Sequence, residues 1–167
     1  MGMMAETLLF IQKHDFAAFD ALADYADAAS SRTKELTAKI KAAESRMAEI
    51  AVLKTHIINY AKTRDIYTAY RKAGYSKKYY DAHESDILIH KAAKKAFDDL
   101  ALKKLPKVKS LQAEYSDLLV QKKLDYAALA KAREKARQLQ IYKANAEMLL
   151  RTDADEQRQT RERQQEK

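Results

Sequence analysis

The chain has no cysteine and no tryptophan, and only one proline and two glycines among its 167 residues. Without cysteine there is no disulfide, no thiolate metal site and no cysteine nucleophile. Glycine and proline fall far below their usual shares of roughly 7% and 5%, which argues against a sheet, whose hairpins need turn residues at short intervals. Four phenylalanines are too few for a broad globular core, whereas a narrow seam between helices is easily filled. No apolar run approaches the roughly 20 residues that cross a bilayer. The start, MGMMAETLLFIQKHD, lacks a basic segment followed by a long apolar one, so neither membrane insertion nor a signal peptide is expected.

What is present points to helices. Apolar residues make up 47% and charged residues 34%, with alanine, lysine, leucine and glutamate prominent. The patterning predicts helices over about residues 4–13, 16–73, 77–84, 86–101 and 107–150, in one elongated domain over 1–150. In the first, Leu8, Leu9 and Ile11 are available for burial, and Asp15 suits the cap of the second. Ala29, Thr33, Leu36, Ile40, Ala43, Met47 and Ile50 alternate at spacings of four and three, the seam of a coiled coil. Leu53, Ile57 and Tyr60 continue the stripe after one shortened step.

Gly74 is placed to end that helix in a left-handed conformation, with Arg71 and Lys72 complementing the negative end of its dipole. Ser76 and Ser85 suit the caps of two short helices forming a tip, with Ile87, Ile89, Ala93, Phe97 and Leu100 as its buried residues. Pro106 marks the start of the last helix. Its stripe runs through Val108, Leu111, Tyr115 and Leu118 or Leu119, then Tyr126, Leu129, Ala132, Ala136, Leu139, Ala146 and Leu150. Residues 151–167 are polar and charged, a frayed helical extension or a disordered tail. The expected fold is all-α: a long antiparallel coiled-coil helical hairpin with a small helical tip. A homodimer pairing the same stripes between chains is the alternative to the monomeric hairpin.

Charge is unevenly placed. Residues 1–52 hold 6 Lys/Arg against 8 Asp/Glu (−2), residues 53–123 hold 16 against 8 (+8), and residues 124–167 hold 10 against 8 (+2). The middle segment alone carries an excess equal to the net charge of +8. A localised basic surface attracts polyanions such as nucleic acid, while a merely solvated helix face is the bland alternative. The candidate DNA-binding cations are Lys62, Arg64, Arg71, Lys72, Lys77 and Lys78 near the first turn. Lys91, Lys94, Lys95, Lys103, Lys104, Lys107 and Lys109 follow on the return path. Among them Tyr75, Tyr79 and Tyr80 are candidates to stack on unpaired bases; packing at the turn is the competing reading, and Tyr67 and Tyr70 share a helix face.

The four histidines, His14, His56, His83 and His90, lack the spacing that sets two imidazoles on one metal. They are read as solvated or core-edge side chains. Asp98 and Asp99 are adjacent and so point apart on a helix. There is no phosphate-cradling glycine loop and no serine beside a convincing base. No catalytic residue, metal or cofactor is therefore expected.

Three blocks are distinctive in type and order: HIINYAKTRD (56–65), YRKAGYSKK (70–78) and HKAAKKAFDDL (90–100). Residues 47–115 around them resemble the C-terminal region of plasmid and transposon mobilisation relaxases from Gram-positive bacteria. A weaker similarity extends from about residue 5 to 150. The resemblance implies a role in conjugative DNA transfer within the bacterial cytoplasm. Relaxases of this class nick one strand at an origin of transfer, using a tyrosine nucleophile and a metal held by histidines in an N-terminal nuclease domain. No residues here match that domain, so the tyrosines of this chain inherit no nucleophilic role. The resemblance implies a non-catalytic helical region whose partners are single-stranded or origin duplex DNA, and relaxosome or coupling proteins. A protein-binding or spacer coiled coil without nucleic-acid contact is the alternative.

Overall fold

The computed structural model describes residues 2–7 and 19–166, and the fold is all-α. Three helices account for most of it: α1 (Phe19–Lys72), α2 (Lys77–Asp99) and α3 (Val108–Gln165). Residues 3–7 are also helical. The rest of the helix expected over 4–13, with Leu8, Leu9 and Ile11, lies outside the described residues, as do Asp15 and His14.

The one elongated domain of the sequence reading resolves into two compact units, Met1–Ile40 with Leu124–Lys167, and Lys41–Lys123. In the first unit Leu22 and Ala26 pack with Leu139 and Ala146, and Leu36 and Ile40 pack with Leu129. Ser30 accepts a hydrogen bond from Gln140 at 3.5 Å, and Lys39 reaches Asp125 at 3.5 Å. Positions rising along α1 therefore meet positions falling along α3, so the two helices are antiparallel. Burying a leucine such as Leu139 stabilises by about 1.5–3 kcal/mol, and small Ala26, fully buried, lets the helices approach closely. Thr7 is buried as well; its hydroxyl donates to the Met3 carbonyl at 2.8 Å and accepts from Asn145 at 3.0 Å.

The second unit holds α1 from residue 41 onward, all of α2 and α3 up to residue 123. Ile50, Leu53, Ala93, Phe97 and Leu111 form its core, with Ile57, Tyr60, Leu102, Leu105 and Leu118 packed around them. Arg46 clamps Glu114 through two bonds, Nε to Oε1 at 2.7 Å and Nη2 to Oε2 at 3.1 Å. That pairing holds the Glu114 carboxyl below its usual range and pushes the Arg46 guanidinium above its own. Lys122 pairs with Glu44 at 3.3 Å. These partners again run in opposite directions.

The expected α1 seam is buried at Leu36, Ile40, Ala43, Met47, Ile50 and Leu53, with Ala29, Thr33, Ile57 and Tyr60 half-buried. On α3, Leu111, Leu118, Asp125, Ala132, Leu139 and Ala146 recur every seven residues, and all are buried or half-buried. Asp125 thus occupies a seam position beside the expected Tyr126, which is 48% exposed. Tyr115, Leu119 and Leu150 are also exposed, although Tyr115 and Leu150 share the heptad register of buried Leu129.

In the tip, Ile87, Ala93 and Phe97 are buried as expected, but Ile89 and Leu100 are exposed. The inward face runs Ile87, His90, Ala93, Phe97 at helical spacing, which turns Ile89 outward. The break expected at Ser85 is a kink at His83 (φ −130, ψ 24) within the continuous α2. Ser76 does cap α2, accepting from the Tyr79 N–H at 3.4 Å. Residues 151–165 are helical and exposed.

Candidate nucleic-acid interface

The turn that joins α1 to α2 is built by backbone chemistry. Gly74 (φ 67) donates its N–H to the Arg71 carbonyl at 3.1 Å, and Tyr75 donates to the Tyr70 carbonyl at 3.0 Å. This is the paired-bond closure in which a left-handed residue satisfies the last carbonyls of a helix. The apolar contact that usually accompanies it is made by Tyr75 and Tyr70, whose rings meet edge to face at 5.2 Å. Tyr75 is itself left-handed (φ 58), an unusual conformation for a bulky residue. The same closure ends α2: Ala101 (φ 51) donates to Asp98 at 3.0 Å and Leu102 to Phe97 at 3.2 Å.

Tyr70 is buried at the centre of the tip. Tyr67, Tyr75, Tyr79 and Tyr80 surround it with ring centroids 5.2–6.2 Å away, and Lys91 lies over its face at 5.9 Å. The tyrosines therefore have a packing role, as one of the two sequence readings held. They differ in what remains open: Tyr79 and Tyr80 are half-buried, whereas Tyr75 is 57% exposed.

Beneath this cluster sits a feature that sequence reasoning missed. His90 is buried between Tyr60 and Tyr67, with ring centroids at 4.5 and 4.4 Å and the planes nearly parallel. Its Nδ1 lies 3.0 Å from the Thr63 hydroxyl, whose single proton is committed to the Asn59 carbonyl at 2.7 Å. With that proton on the Asn59 carbonyl, the Thr63 oxygen is left to accept, an arrangement matched by the His90 tautomer that carries its proton on Nδ1. Burial, and secondarily the charge of Lys94, lowers its pKa below 6.5. Two periodicities carried the signal: Ile87, His90, Ala93 and Phe97 on α2, and Tyr60, Thr63 and Tyr67 on α1. Of the other histidines, His56 is half-buried and His83 forms the kink against Tyr79 at 4.3 Å.

All thirteen candidate cations lie in the unit Lys41–Lys123, and all are exposed. Lys62, Arg64, Arg71 and Lys72 are on the last part of α1; Lys77, Lys78, Lys91, Lys94 and Lys95 are on α2. Lys103, Lys104 and Lys107 are in the following connection, and Lys109 is in the first turn of α3. None makes an ion pair among the described residues, in contrast to Arg46 and Lys122 of the same unit. This unit holds 18 Lys/Arg against 10 Asp/Glu, a balance of +8, and the other holds 14 against 14, a balance of zero. The whole net charge thus belongs to one unit.

No helix among the described residues is long and apolar enough to cross a membrane. No family model, curated protein or solved structure matches the chain.

Proposed function

We propose that this chain is the non-catalytic C-terminal helical region of a conjugative DNA-mobilisation relaxase, and that its unit Lys41–Lys123 contacts DNA. The observation that carries the reading is electrostatic: +8 in one unit against zero in the other, with thirteen exposed cations that make no ion pair among the described residues. Such a surface gathers phosphates at little desolvation cost, releases condensed counterions, and reads backbone rather than base sequence. The three relaxase-like blocks fall within the same unit, which ties the DNA contact to mobilisation.

Fluorescence anisotropy with labelled origin DNA tests the proposal. Binding should be present at low salt and weaken steeply as salt rises. Reversing Lys72, Lys77 and Lys78 to glutamate together should weaken it at least tenfold. Absence of binding at low salt, or indifference to the triple reversal, overturns the reading. A second role, docking to relaxosome or coupling proteins, is favoured by the exposed Val52, Tyr115, Leu119 and Val120 of this unit. Recovery of coupling components from a nuclease-treated lysate would support that role.

A further inference from the structure

Tyr75 is the most exposed tyrosine among the described residues, at 57%. Two features of its position disfavour a tyrosine on stability grounds. Its backbone is left-handed (φ 58), where glycine or asparagine is the usual occupant. Its ring also leaves a large apolar surface in water. Yet the residue is held firmly, by its N–H on the Tyr70 carbonyl at 3.0 Å and its ring on the Tyr70 ring at 5.2 Å. An exposed, pre-ordered aromatic ring flanked by Arg71, Lys72, Lys77 and Lys78, all exposed, combines the two elements that recognise an unpaired strand. The ring offers a face on which a base stacks, and the cations meet the phosphates on either side. A paired base inside a duplex cannot present its face to that ring, so the arrangement distinguishes strand states.

We infer that the tip binds single-stranded DNA, with Tyr75 as the stacking platform for one unpaired base and the four flanking cations as its phosphate contacts. The inference rests on the proposed DNA contact and names its substrate class. Fixed placement matters because little side-chain freedom is lost when the base arrives. Tyr79 and Tyr80, half-buried against Tyr70, act as supports.

The test uses the full chain and one fluorescein-labelled oligonucleotide, single-stranded or annealed to its complement. Tyr75→Ala should weaken single-strand binding by about 5- to 150-fold and change duplex binding less than about twofold. Tyr75→Phe should keep single-strand affinity, since the ring face is what the base meets. Tyr75→Gly separates binding from folding: it relaxes the backbone, so the thermal midpoint should hold while single-strand affinity falls as in the alanine variant. A 2-aminopurine base in the single strand should be quenched by the natural chain and by Tyr75→Phe, but not by Tyr75→Ala. Equal loss on both DNA forms, or no loss on either, overturns the stacking role while leaving the basic-surface reading standing. Failure of the natural chain to bind either form at low salt overturns both.

Discussion

Replacing Thr63 by valine removes one oxygen from the protein interior and nearly nothing else, which makes it a sharp probe of the His90 stack. Thr63 and His90 are each 4% exposed, on α1 and α2 respectively. In the natural chain Nδ1 of His90 lies 3.0 Å from the Thr63 hydroxyl, and in the Nδ1–H tautomer it donates to it. In the variant that donor faces a methyl group between two tyrosine rings and has lost its acceptor. Leaving a buried donor unsatisfied costs about 1–3 kcal/mol, against roughly 0.5–1.5 for a bond lost with partners rehydrated. The Thr63–Asn59 bond is also lost, but the Asn59 carbonyl keeps its helical partner, so the larger share of the effect should run through His90.

A double-mutant cycle isolates it. His90→Phe keeps a flat ring between Tyr60 and Tyr67 and removes the donor. In that background Thr63→Val should cost no more than about 0.5 kcal/mol, giving a coupling of about 1–2 kcal/mol. Urea denaturation followed by circular dichroism measures all four variants; the single Thr63→Val change should also lower the melting temperature by about 2–4 °C per kcal/mol. A coupling near zero would refute both the donor assignment and the argument that His90 is held through Thr63.

A pH dependence follows from the same chemistry. Because the folded-state pKa of His90 is lowered by burial, the unfolded chain binds the proton more readily. The stability associated with neutral His90 is therefore full above pH 6.5 and is lost as pH falls through that value toward the lower folded-state pKa, at no more than about 1.4 kcal/mol per pH unit. The stability difference between the natural chain and His90→Phe, measured from pH 8 to 5 (about the range this single group spans), should carry that slope; a flat difference would refute the prediction. At the helix closures, Ala101→Gly should stabilise by about 0.5–1 kcal/mol, the left-handed strain of about 1–2 kcal/mol being partly offset by glycine's freedom in the unfolded chain. Gly74→Ala should destabilise by about 1 kcal/mol, the left-handed strain less the entropy that alanine removes from the unfolded chain, with no steric addition because an added Cβ meets no atom within 4 Å. Chemical denaturation reads each change.

Much of the helical pairing is legible in the residues themselves. The repeat through Leu36, Ile40, Ala43, Met47 and Ile50 has one geometric reading, and near-absence of glycine and proline leaves little room for another. Gly74 was equally plain, since it alone can close that helix without a Cβ penalty. The cap at Ser85 was a misleading sign: a serine before an apolar run matches a helix start, yet the kink falls at His83, where tertiary packing of the tip decides. Asp125 and His90 escaped because the pattern counts apolar residues, and a polar side chain at a seam position is invisible to it unless spacing alone is followed. On α3 the exposure of Tyr126 follows from the same cause: an aromatic residue next to the seam position of Asp125 competes for it on composition but loses on angle. The cations were easy to enumerate, whereas their lack of ion-pair partners required coordinates.

The concentration of charge in Lys41–Lys123 has a consequence for the unbound protein. Thirteen like charges that make no ion pair among the described residues repel one another within one compact unit, so the free fold carries an internal electrostatic strain that counterions relieve. Added salt should accordingly steady this unit while weakening the proposed contact with a polyanion, the two responses moving in opposite directions. A bound phosphate chain would take over the counterions' task, so that the ligand acts as a stabilising element of the structure that receives it.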